Sequence, residues 1–162
     1  MKQKRKEFDT DTIAKLSATC PLNELRMATR AITQIFDVIL KPTGLLGTQL
    51  PLLVKAVTLG PITISAMADE LVMDRTTLTR NLKPLKKQDL VAIAQGEDRR
   101  TRMVSITPRG EELLAEVVPL WTRAQKLIDI ALGEQPRRDL QASLLAVVDL
   151  YRSPIDLSQP SD

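Results

Sequence analysis

The stretch TISAMADELVMDRTTLTRNLKPLKKQDLVAIAQGEDRRTRMVSIT, residues 63–107, reads as helix, turn, helix, strand, charged loop, strand. Thr63 or Ser65 can cap a short helix that buries Ile64, Met67, Ala68 and Leu71, since a side-chain oxygen there accepts a free first-turn N–H. A short connection then leads to Asp74, a good cap for a second helix. In that helix Leu78, Leu82 and Leu85 step by four and three, which fixes the inward face. Thr76, Arg80, Lys83 and Lys87 fall nearly opposite, with Thr77 and Thr79 on the flanks. No acid interrupts this face between Asp74 and Asp89, whereas ordinary surface helices carry Glu beside Lys. Pro84 removes the bond to the Arg80 carbonyl, so a bend or a loosened last turn is expected.

After Leu90 the period changes to two. Val91 and Ile93 alternate with Ala92 and Ala94, and Val104 and Ile106 with Met103 and Ser105. The segment QGEDRRTR lies between them, so a two-stranded ribbon with a charged tip is expected. Gly96 permits its turn, and Arg99 and Arg100 project from it.

Working outward, residues 1–12 are polar and charged without a period and read as a flexible basic arm. From about Ile13 to Leu40 the pattern is helical, with Leu25, Ala28, Ile32, Ile35 and Ile39 on one stripe and Pro21 either starting its main segment or dividing it. Pro42 stops this helix, and Gly44 and Gly47 supply a turn. A further helix runs from about Gln49 to Leu59, with Thr48 as candidate cap, Leu50, Leu53, Val54 and Val57 as buried stripe, and Gly60-Pro61 as its end.

On the C-terminal side, Thr107 caps a long helix with Pro108 in its first position. Leu113, Val117, Leu120, Ala124, Leu127 and Ala131 form one stripe, and Leu114, Val118, Trp121, Ile128 and Leu132 a second beside it. One stripe can face the central module while the other seeks a partner. Pro119 should kink this helix, Gly133 ends it, and a last helix runs from about Pro136 to Tyr151. The expected fold is mainly α with a small β wing: a winged helix-turn-helix over 46–107, flanked by helical dimerisation segments at 13–45 and 108–156.

The charge is placed unevenly. Residues 75–109 hold nine Lys or Arg and three acids, a net of +6 within a chain whose total is +3, so the remainder stands at −3. A basic centre in a slightly acidic chain points to a polyanion site. A helix with short hydroxyls near its start and longer cations further along suits a DNA major groove: Arg bonds guanine bidentately, Thr offers hydroxyl or methyl to a base edge, and Lys neutralises phosphate. The wing-tip arginines suit a minor groove.

Several classes are disfavoured. One cysteine, Cys20, forms no intramolecular disulfide or multi-cysteine zinc cage, and the chain has no histidine. Cys20 therefore lacks a His partner, no glycine-rich phosphate loop is present, and neither an enzyme nor a cofactor or metal is expected. No apolar run approaches the roughly 20 residues of a membrane span, and the N-terminus lacks the apolar region of a secretory signal, so a cytoplasmic protein without a membrane partner is expected.

The helix-turn-helix ISAMADELVMDRTTLTRNLKPL, the wing GEDRRTR and the following ITPRGEELL together resemble the MarR (multiple antibiotic resistance regulator) family of transcriptional regulators. With the preceding helices, the likeness covers about residues 20–130. It implies a winged-helix homodimer on pseudo-palindromic double-stranded DNA, usually a repressor, released by a small-molecule effector or by cysteine oxidation. The residues it assigns to DNA are Arg75, Thr76, Thr77, Thr79, Arg80 and Lys83 on the recognition helix and Asp98, Arg99, Arg100 and Arg102 in the wing. In this family the wing acid, here Asp98, commonly braces a following arginine, here Arg100 or Arg102. Pro84 departs from the commoner helix-forming residue. Two alternatives stand beside this reading: redox sensing through Cys20, and a winged helix used only for protein contacts.

Overall fold

The computed structural model describes residues 9–153. Helix α1 (Thr10–Thr19) begins three residues before the apolar period does, because Asp9 accepts the Asp11 N–H at 3.1 Å. Residues 10–12, expected in a flexible arm, are thus helical; residues 1–8 of that arm lie outside the described residues. Cys20 is extended, and Pro21 opens α2 (Pro21–Leu40), so Pro21 both divides the first helical segment and starts its longer part. A 3-10 turn at Lys41–Thr43 ends in Gly44, whose φ of 71° favours glycine.

Gln49, and not Thr48, stands at the N-cap position of helix α3 (Leu50–Leu59) without a side-chain cap bond; its side-chain oxygen accepts the Leu46 N–H at 3.0 Å. Its buried residues are Leu50, Leu52, Leu53 and Ala56, whereas Val54 and Val57 are 42% and 45% exposed. Apolar residues lie all round this short helix, so period alone did not choose its inward face.

Strand β1 (Ile62–Thr63), helix α4 (Ile64–Glu70), helix α5 (Arg75–Lys87) and strands β2 (Val91–Gln95) and β3 (Arg102–Ile106) follow. The sheet has three antiparallel strands in the order β1-β3-β2, one more than the ribbon expected from period. The added strand is two residues long, Ile62 opposite Val104 and Thr63 opposite Met103, too short to show alternation. In the ribbon, Val91 faces Ile106 and Ile93 faces Val104, which turns the apolar set inward.

Helix α6 (Pro108–Leu132) is continuous through Pro119, and α7 (Glu134–Arg152) follows Gly133. Thr107 caps α6 from both sides: its hydroxyl oxygen accepts the Gly110 N–H at 3.1 Å and donates to the Asp89 carbonyl at 2.5 Å. At the far end, Arg152 Nη2 donates to the carbonyls of Asp69 and Glu70 at 3.4 and 3.2 Å, so the last turn of α7 covers the C-terminal end of α4.

The main core belongs to the central module. It gathers Leu40 and Leu45, the inward residues of α3, α4 and α5, and Val91, Val104 and Val117. Val117 and Ala124 of α6 are buried, with Leu113 and Leu120 partly so, while Leu127 further along the same stripe is 47% exposed. Helix α7 buries no residue fully, and on α2 only Ile39 and Leu40 do so. The apolar stripes of the flanking helices therefore remain open, with Leu16, Leu22, Val118, Trp121, Leu145 and Tyr151 among their exposed residues. No helix among the described residues is long and apolar enough to cross a membrane.

Candidate nucleic-acid interface

The turn between α4 and α5 is set by backbone chemistry. Thr63 accepts the Ala66 N–H at 3.1 Å and starts α4, deciding between the two expected caps. Val72 adopts φ 52° and reverses the chain, and Asp74 accepts the Thr77 N–H at 2.8 Å to start α5. The Thr77 hydroxyl and then its amide hold the Asp74 carboxyl below the ordinary aspartate range. Leu78, Leu82 and Leu85 are each fully buried, which locks α5 by its inner face. Gln88 N–H reaches the Pro84 carbonyl at 3.0 Å, so α5 keeps its last turn despite the proline.

A groove of about 1040 Å³ runs along the outer face of α5 toward the wing. Arg75, Thr76, Thr79, Arg80 and Lys83 line it from α5, and Arg100 and Arg102 from the wing. Seven of the residues expected at the site are thus brought to one surface. Thr77, Asp98 and Arg99 are not part of that lining: Thr77 is half-buried beside its cap, and Arg99 stands at the tip with its carbonyl accepting from the Gln95 amide at 2.9 Å. Lys86 and Lys87 are exposed but also lie off the groove.

Thr63, Ile64, Ser65 and Thr101 join the lining, and sequence reasoning did not place them there. The cap role of Thr63 was a signal only for local structure; its nearness to α5 arises from the fold. The Thr79 hydroxyl donates to the Arg75 carbonyl at 2.7 Å, so Thr79 presents a methyl and lone pairs outward and no free proton.

The wing tip differs from the family expectation in one detail. Asp98 holds the backbone N–H of Arg100 at 2.9 Å, and its backbone carbonyl accepts from the amide and hydroxyl of Thr101, both at 2.8 Å. Among the described residues the ion pairs are Lys55–Glu70, Arg137–Asp129 and Arg138–Glu134, so Asp98 braces no guanidinium. A carboxylate two residues before an amide closes a tight turn locally, and the arginine side chains stay free to face outward. Gly96 is required for closeness: a Cβ there would collide with the Thr101 hydroxyl.

Cys20 is a half-buried free thiol between α1 and α2 and lines neither this groove nor the apolar cavity under α6. No group of His, Cys, Asp and Glu among the described residues could hold a metal ion.

Comparison with known proteins agrees with this geometry. No family model matches the chain. Over 96 residues it is 29% identical to an uncharacterised HTH-type transcriptional regulator, YwoH of Bacillus subtilis (strain 168), spanning 59% of this chain and 70% of that protein. Its fold matches a crystal structure of the M. tuberculosis transcriptional regulator MosR in complex with DNA, with TM-score 0.74, 30% identity, and coverage of 82% of this chain and 96% of MosR. It also matches BpsR of Bordetella bronchiseptica, whose DNA binding is regulated by 6-hydroxynicotinic acid, with TM-score 0.72, 22% identity, and coverage of 82% and 96%; at that identity the likeness concerns the fold. Fold and groove define a winged helix-turn-helix transcriptional regulator. The chain belongs to the MarR family.

Proposed function

We propose that this protein is a sequence-specific double-stranded DNA-binding regulator of transcription, acting in the cytoplasm as a homodimeric repressor on a pseudo-palindromic operator and released by a small ligand. The observation that carries the reading is the single groove that unites Arg75, Arg80 and Lys83 of α5 with Arg100 and Arg102 of the wing. Five cations on one surface, with threonine side chains between them, suit a duplex whose phosphates attract and whose base edges discriminate. The DNA complex of MosR supports the same use of this fold. Two-fold pairing is supported by the open apolar stripes of α1, α2, α6 and α7, which a second copy would cover. Release by a ligand is supported by an apolar cavity where α2, α3 and α6 meet, since α3 packs directly on the wing sheet.

Selection from random duplex DNA tests the reading. An enriched motif with two half-sites about one helical turn apart is expected. Arg80→Ala should cost about 1–3 kcal/mol and relax preference at one base position. Lys83→Ala should weaken binding to all sequences alike and reduce the salt slope by about one. Full-strength binding by both variants would remove α5 from the interface, and weak, salt-insensitive binding by the wild type would favour a winged helix used only for protein contacts.

A further inference from the structure

The cavity beneath α6 has a volume of about 500 Å³, within the range of small-molecule sites. Ile32 and Phe36 of α2, Val54 of α3, and Val118 and Trp121 of α6 are among its wall residues. Among the described residues, no Lys, Arg, Asp or Glu is part of the lining. The lining residues with polar side-chain atoms are Thr33 and Trp121. Thr33 Oγ1 donates to the Thr29 carbonyl at 2.7 Å, so toward the cavity it offers only an acceptor. At the wall formed by Gly47, the Asp37 carboxylate already accepts the Gly47 N–H at 2.6 Å. Gly47 permits that approach, because a Cβ there would stand 3.0 Å from the Phe36 Cβ.

From this arrangement the geometry points to an uncharged, largely apolar ring compound carrying a hydroxyl or amide as the ligand of this cavity. The inference rests on the ligand-released reading above and specifies its chemistry. A carboxylate ligand would leave water without meeting a cation, would find a carboxylate nearby, and could donate nothing to Thr33. A neutral hydroxyl loses little on entry, can donate to Thr33 or accept from Trp121, and leaves its ring against Phe36 and Trp121.

Trp121 is the chain's single tryptophan, so its emission reports the cavity directly. Cyclohexylmethanol and cyclohexanecarboxylate share a ring and differ in charge, and neither absorbs where tryptophan is excited. Titrated into the full-length protein, the alcohol should shift Trp121 emission to the blue in a saturable way and bind at least about tenfold more tightly than the carboxylate, since burying an unpaired charge costs more than burying a hydroxyl. Thr33→Arg, or Val54→Arg from the more exposed wall, should raise carboxylate affinity about tenfold or more by supplying the missing cation. Equal or tighter carboxylate binding by the wild type overturns the inference. So does the absence of any saturable response to the alcohol at a protein concentration where the dimer is fully formed, which would mean that a second copy fills the cavity. If the alcohol is preferred but neither arginine variant gains the carboxylate, the probe binds elsewhere and the assignment also fails. Release of duplex DNA, followed separately by fluorescence anisotropy, tests the other reading: saturable alcohol binding without release would overturn ligand control and leave the cavity's chemistry standing.

Discussion

Asp74 shows how one side chain fixes the start of a helix. It terminates the turn, caps α5, and thereby sets where Arg75, Thr76, Thr79 and Arg80 emerge. Its folded pKa lies below its unfolded value, so its charged form favours the fold. That contribution is complete above the ordinary aspartate value of about 3.9 and is lost as pH falls through the lowered folded value. Asp74→Asn keeps a capping oxygen but does not titrate. Its melting temperature by circular dichroism should therefore lie below that of the wild type by a constant gap down to about pH 5, and the gap should shrink below about pH 4. A gap that stays level or widens on acidification would remove the charge from the cap. The outward face of α5 was legible in the sequence because Leu78, Leu82 and Leu85 fix the helix phase, and the opposite face then follows from geometry.

Elements meet where the sequence speaks less clearly, and the start of α6 is such a place. Gly110 packs so closely on the end of α5 and the sheet that a Cβ would collide with the Leu90 carbonyl and stand 2.6 Å from Ile106 Cδ1. Alanine favours a helix interior over glycine by about 1 kcal/mol, but the obstacle is backbone and cannot step aside, so the clash outweighs the gain. Gly110→Ala should destabilise the protein by about 1–3 kcal/mol in urea unfolding; a stabilised variant would contradict this packing. Strong periods made α2, α5, α6 and the β2–β3 ribbon legible in advance. The inward face of α3, the two-residue β1 and the place of Thr63, Ser65 and Thr101 in the groove were not. Each depends on contacts between distant segments, and a short or uniformly apolar stretch carries no phase from which to infer them. The Asp98 turn was misassigned for a related reason: family likeness identified the acid, while its hydrogen-bond partner was decided by local backbone geometry.

At the scale of the molecule, the central module has a closed core and the flanking helices do not. Ile130 is 81% exposed and Leu145 57%, and open apolar surface of this kind marks interaction faces. Light scattering coupled to size exclusion should give a dimer at micromolar concentration, and Leu145→Asp should shift it toward monomer while leaving the buried core of α3 to α5 intact. A monomeric wild type would remove the two-fold arrangement. One contact across the molecule has a practical bearing on how the protein is handled. The guanidinium of Arg152 ends α7 and seals two carbonyls of α4, more than eighty residues earlier in the chain. Any affinity tag, fusion or trimming placed against that turn would act on α4, the first helix of the helix-turn-helix, so a binding constant measured on such material would report the modification together with the protein.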